Sequence, residues 1–202
     1  LMTLGLDIWN ANIIGFVDNT EHKNFKNKLI KKCVKIKKQI KSGGDNWISN
    51  KTYNTLQTYD LLKDTEFKKL HDWVFKQVGD YAVKLKYQNN FNCSQAWFNI
   101  YNKNDYQEYH NHSLNALSAV YFLKSNPESS SKIHFRFKDD PGINEPVIHN
   151  NFNLTAYTSW YKPIPGRLLI FKADLFHCVE RSEEKDFRVS IAYNFDRIQN
   201  DK

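Results

Sequence analysis

The sequence predicts a mainly β fold with flanking helices, on three observations. Two long stretches of helical periodicity come first, eight short β-rich runs punctuated by turns follow, and no repeat, low-complexity tract or linker divides them. A length of 202 residues suits one domain with a substantial core. The expectation is therefore a single domain over 1–202, with 1–92 as helical support and 93–197 as a β-barrel core. The composition, 41% hydrophobic and 15% aromatic, argues against wholesale disorder.

Phe25, Leu29, Ile30, Cys33, Val34, Ile36 and Ile40 recur at helical spacing from Asn19 or Thr20 to about Lys41. Thr20 is the expected N-cap and Ser42-Gly43-Gly44 the stop. Residues Asp45–Leu62 carry Trp47, Tyr53 and Tyr59 among Asn and Thr, which reads as a structured loop over one mouth of the fold. A second helix is expected from about Asp64, as cap, to Tyr87. Its buried side would be Phe67, Leu70, Val74, Phe75, Val78, Tyr81, Ala82 and Leu85.

After Asn92 the expected strands are Ser94–Tyr101, Tyr106–His110, Leu117–Leu123, Lys132–Phe137, Leu154–Trp160, Arg167–Phe171, Phe176–Glu180 and Phe187–Phe195. Turn signals such as Asn102-Lys103-Asn104-Asp105 and Pro163-Ile164-Pro165-Gly166 separate them. Eight short strands so spaced indicate a sandwich or barrel. Each helix has one apolar face, and the outside of a sheet is where it can be buried.

The net charge of +7 is not spread evenly, because nine lysines lie between Lys23 and Lys41 on one helix. That stretch lacks arginines for bidentate contacts and aromatics interleaved for base stacking, so a solvated helix face is expected and a nucleic-acid partner is not. No apolar run approaches the roughly 20 residues that span a bilayer, so no membrane partner is expected. Leu1-Met2-Thr3-Leu4 does not read as the start of a signal peptide. Three widely spaced cysteines, Cys33, Cys93 and Cys178, read as free thiols in a reducing, cytoplasmic setting.

Chemistry concentrates in His110-Asn111-His112, in His177, and in Arg188-Val189-Ser190. Side chains two apart share a face on extended chain, so His110 and His112 can converge. A third imidazole from His177 would complete a three-point site with open positions, suited to iron, copper, nickel or zinc. The chain also spends histidine at His22, His71, His134 and His149, so a structural role for the pair is the alternative. In the last strand, Val189, Ile191, Tyr193 and Phe195 make one apolar face, which must be core. Arg188, Ser190, Ala192 and Asn194 make the other, which suits either a polar interior holding a carboxylate or open solvent.

From about Ala96 to Phe195 the sequence resembles the 2-oxoglutarate/Fe(II)-dependent oxygenases related to prolyl hydroxylases, of a type found in marine bacteria and phages. The resemblance rests on Trp97-Phe98-Asn99, His110-Asn111-His112, Ser118-Ala119-Val120-Tyr121-Phe122-Leu123 and Ile164-Pro165-Gly166. It continues in Leu175-Phe176-His177-Cys178-Val179 and in Arg188 through Asn194. It implies a double-stranded β-helix, jelly-roll or cupin-like, with the two N-terminal helices packed on the outer sheet. It further implies Fe(II) on His110 and His177, and Arg188 with Ser190 on the distal carboxylate of 2-oxoglutarate. The reaction implied is hydroxylation of a small-molecule or peptidyl substrate with release of succinate and carbon dioxide.

Two departures from the family pattern stand out. The usual second motif residue is Asp or Glu, and here it is His112, making the expected ligands His110, His112 and His177. Asp105, Asp174 and Glu180 are the carboxylates that would otherwise supply an oxygen. Phe122 stands where a Tyr hydroxyl would join the clamp, with Asn99 and Asn194 as inward-facing compensation. The alternatives are a three-histidine cupin-type dioxygenase that does not use 2-oxoglutarate, with Arg188 on the substrate's own carboxylate, and a non-catalytic binding barrel. Stoichiometric succinate separates the first reading from both. Substrate contacts are expected in the loops Asp45–Leu62 and Asp139–Asn153.

Overall fold

Strands with one apolar face need a second layer to cover it, and this chain supplies one on each side of its larger sheet. The structure, a computed structural model, describes residues 12–44, 47–49, 51–87, 90–128, 131–136 and 158–198. Among them, β1 (Gly15–Asp18), β2 (Tyr53–Asn54), β3 (Phe91–Tyr101), β5 (Leu117–Lys124), β8 (Arg167–Lys172) and β10 (Arg188–Arg197) form a six-stranded antiparallel sheet in the order β1-β8-β5-β10-β3-β2. A smaller antiparallel sheet runs β4 (Gln107–His110), β9 (Phe176–Val179), β6 (Ile133–Arg136), β7 (Thr158–Tyr161). This is the expected jelly roll.

Period 2 sorts the core into two clusters. Outward residues of the larger sheet, such as Phe98, Tyr121, Ile170, Ile191 and Tyr193, pack under the helices with Leu29, Cys33, Ile36, Leu70, Val74 and Val78. Inward residues Val120, Phe122, Leu169 and Phe171 meet Ile133 and Phe135 of the smaller sheet. Fully burying one such aliphatic or aromatic side chain contributes roughly 1.5–3 kcal/mol, so these faces fix the strand register.

The first helix, α1 (His22–Gln39), starts later than expected, because Asn19 rather than Thr20 turns the chain: its Oδ1 accepts the Glu21 N–H at 2.9 Å. Past the helix, Gly43 is obligatory, since a Cβ there would meet Leu56 O at 2.0 Å, and Gly44 has φ +73. Asp64 does cap, accepting from Glu66 N at 3.0 Å, but it caps a 3-10 turn, Thr65–Phe67, that leads into α2 (Lys68–Lys84). Phe75, expected in the core, sits 38% exposed at the edge of the apolar stripe beside His71 and Phe195.

The N-terminal part is more than helical support. Gly15–Asp18 forms one edge of the larger sheet, and β2, inside the segment expected to be a loop, forms the other against Asn99 and Ile100. Of the expected strand Leu154–Trp160, the structure describes only the end, which runs on to Tyr161. The loop Asp139–Asn153, with His149, lies outside the described residues. No helix among the described residues is long and apolar enough to cross a membrane.

Two histidines are structural. His22 Nδ1 is 2.7 Å from the Tyr121 hydroxyl, and His71 lies between the Tyr193 hydroxyl and Leu61 O. Burial lowers both pKa values, to about 4 for His22 with help from the Lys26 charge. The unfolded chain takes these protons near pH 6.5, whereas the fold resists them. Their contribution is therefore full above about pH 6.5 and is lost as pH falls toward 4. The metal-free protein should melt at progressively lower temperature between pH 7 and 4.5, and less steeply in His22→Gln. Identical slopes in the two proteins would remove His22 from that effect.

Candidate metal centre

β4 and β9 run antiparallel with His110 directly opposite His177, and cross-strand neighbours of this kind share a face. Their ring centroids are 4.3 Å apart. His112 lies just beyond the end of β4, where its N–H donates to Ala173 O at 2.7 Å and holds it beside the turn that leads into β9. Its ring is 5.1 Å from that of His110 and 5.3 Å from that of His177. One ligand atom from each of the three lies within 4.8 Å of the others.

Backbone carbonyls set the tautomers. His110 Nδ1 donates to Glu108 O at 2.8 Å and His177 Nδ1 to Leu175 O at 2.9 Å. A carbonyl only accepts, so each Nε2 keeps a free lone pair, as metal-binding histidines require. Burial lowers the pKa of all three, to about 4 for His112, and the neighbouring imidazoles oppose charging of His112 and His177 further. All three are neutral ligands at pH 7. Such a donor set fits iron and the other first-row metals.

The carboxylates considered in place of His112 are not in this cluster. Asp105 is occupied with Asn102, and Glu180 with His134 and the Lys132 N–H. The cavity that the imidazoles enter is walled by the inward residues of β3, β5 and β10, and no Asp or Glu is among its lining residues.

At the cavity's other end stands Arg188, 1% exposed at the start of β10. Its guanidinium lies 4.9 Å from the centre of the Tyr101 ring and 5.3 Å from that of Phe122. Nη1 donates to Ser131 O at 2.5 Å and to Ser131 Oγ at 3.0 Å, while the buried Nε has no partner. Among the described residues no carboxylate forms an ion pair with it. Burial pulls its pKa to about 10, which leaves it charged at pH 7. A buried cation with no direct ion-pair partner is costly, and an anionic ligand is what such a site fits.

Sequence reasoning missed Tyr101. It shares the inward face of β3 with Trp97 and Asn99, lines the same cavity as Ser190, and brings its ring against the Arg188 guanidinium from the strand next to β10. Asn99 is opposite Ser190, with a buried Oδ1 that has no partner. Asn194 departs from expectation. It is six residues from Arg188, about 20 Å along the strand, too far to share one small carboxylate. Its amide is also taken, by Ser118 at 2.8 Å and Gln95 at 3.1 Å.

Trp47 lines the cavity too, from the segment expected to cover a mouth. The Glu108 carboxylate accepts from Ile48 N and Ser49 N, and the Thr52 hydroxyl donates to Tyr106 O, fastening the segment to β4 and the turn before it.

Comparison with known proteins gives a consistent result. The family described as "Putative 2OG-Fe(II) oxygenase" matches residues 95–194. No curated protein matches the sequence. Among solved structures, a Pseudomonas putida prolyl-4-hydroxylase is similar at 12% identity, covering 92% of this chain and 93% of its own, with a TM-score of 0.63. A viral collagen prolyl hydroxylase from Paramecium Bursaria Chlorella virus-1 is similar at 12% identity, 90% and 94% coverage and a TM-score of 0.59. A non-heme alpha ketoglutarate dependent epimerase from nogalamycin biosynthesis reaches 0.62 at 10% identity, with 90% and 75% coverage. At these identities the structures establish the fold alone.

Proposed function

The chain belongs to the 2OG-Fe(II) oxygenases, and from that premise we propose that His110, His112 and His177 hold the iron while Arg188 and Ser190 grip the distal carboxylate of 2-oxoglutarate. The observation that carries this is Arg188, a fully buried cation without a carboxylate partner in the cavity that three neutral imidazoles enter. Iron held there would supply activation of dioxygen, the oxidant, with one oxygen atom passing to 2-oxoglutarate as it becomes succinate and carbon dioxide and the other to the substrate as its hydroxyl. The chain's part is binding and orientation. Glu108 O and Leu175 O aim two imidazoles, Arg188 and Ser190 set the cosubstrate's direction, with Tyr101 and Asn99 beside them, and Trp47 narrows the mouth.

The substrate, small-molecule or peptidyl, enters past Trp47. Free Cys33, Cys93 and Cys178 support a reducing, cytoplasmic setting. The test is succinate formation by purified protein given Fe(II), 2-oxoglutarate, ascorbate and oxygen. One succinate per 2-oxoglutarate consumed is expected; none, with both bound, overturns the reading in favour of the other two.

His112 has its own test. His112→Ala should weaken metal binding by more than the 10–100-fold typical of residues that only support a ligand, whereas His112→Asp should retain it. Normal iron affinity in His112→Ala would mean that another group completes the site.

A further inference from the structure

Trp97 opens the first of the motifs, and the proposed function assigns it no role. It sits on the inward face of β3, 3% exposed, with its ring centroid 5.6 Å from that of His112. Its indole Nε1–H is buried with no acceptor, although a buried Trp N–H normally has one. Indole nitrogen only donates, so the missing partner must be an acceptor. Trp97 is opposite Ala192 on β10 and Tyr101 is opposite Arg188. The two orphaned N–H donors of this cavity, on Trp97 and Arg188, therefore come from opposite ends of it.

We infer that Trp97 donates its indole N–H to the carboxylate at the metal end of 2-oxoglutarate, making the cavity a two-point holder for a dianion. The inference rests on the cosubstrate reading above. An α-keto acid has one carboxylate beside its keto group, the pair that faces a metal, and 2-oxoglutarate carries a second carboxylate two methylenes further on. Arg188 takes the far one. The near one lies beside the imidazoles, where the described lining residues offer no cation. A hydrogen bond to a charged acceptor is among the stronger kinds, and the water-excluded wall strengthens it further.

Splitting the cosubstrate into halves tests this. Pyruvate carries the keto-acid end alone, and butyrate carries a carboxylate on a short chain without the keto acid. Affinities for 2-oxoglutarate, pyruvate and butyrate would be read by ligand-observed NMR on the Zn(II)-loaded full chain, with no turnover involved. In Trp97→Phe, which keeps a ring against His112, 2-oxoglutarate and pyruvate should bind about tenfold or more weakly, and butyrate as before. Arg188→Gln should do the reverse to the two halves. Unchanged pyruvate affinity in Trp97→Phe overturns the inference. So does equal weakening of pyruvate and butyrate, which would mark a general loss of cavity shape. A wild type that binds metal but not 2-oxoglutarate overturns the cosubstrate reading, and this inference with it.

Discussion

Alanine at His110 or at His177 is expected to abolish stoichiometric metal binding. Three neutral nitrogens converge, and two of them are held in their ligating tautomer by backbone carbonyls. Removing either leaves two protein ligands and an opening to water. The loss should exceed about 100-fold in affinity, which is about 2.7 kcal/mol. The fold should survive in both variants, because its larger core lies on the opposite face of the six-stranded sheet. Ni(II) titration followed by calorimetry, with circular dichroism as the check on folding, gives the answer. Full occupancy in both variants would refute the assignment.

Arg188→Ala should leave metal binding intact and weaken 2-oxoglutarate by on the order of 2–5 kcal/mol, the range for buried charge pairs cut on one side. Lysine should rescue only partly, because it keeps the charge without the planar fork that meets a carboxylate with two N–H groups. Stability should move the other way. The ligand-free protein carries this buried cation without a direct ion-pair partner, so Arg188→Met, which keeps much of the volume, should melt at a higher temperature than wild type while failing to bind the cosubstrate. Anaerobic titration of the Fe(II) protein, followed by the visible charge-transfer band, measures the first effect, and thermal melting the second. Equal 2-oxoglutarate affinity in wild type and Arg188→Ala would remove Arg188 from the site.

Where alternation was strong, the sequence could be read directly. Val189, Ile191, Tyr193 and Phe195 are buried under the helices, while Arg188, Ser190, Ala192 and Asn194 face the cavity. Two strands were not legible. Tyr53–Asn54 is too short to show a period and reads as polar loop, and Gly15–Asp18 owes its place to pairing with Arg167–Ile170 rather than to any local pattern. Facing was legible where position along the strand was not: Asn194 points inward as expected, yet strand rise carries it out of reach of Arg188. Tyr101 follows from the alternation that places Trp97 and Asn99. Trp47 does not, since long-range hydrogen bonds to Glu108 and Tyr106 bring its segment to the cavity.

Replacing a carboxylate by His112 also alters the electroneutrality of the loaded cavity. No lining residue among those described is acidic. A divalent cation and Arg188 bring three positive charges, and the cosubstrate returns two negative ones. With an aspartate at 112 the sum over these groups would be zero; with an imidazole one positive charge is left over. That excess favours whatever anion enters next. A pocket loaded as proposed would therefore disfavour cationic substrates relative to neutral or anionic ones.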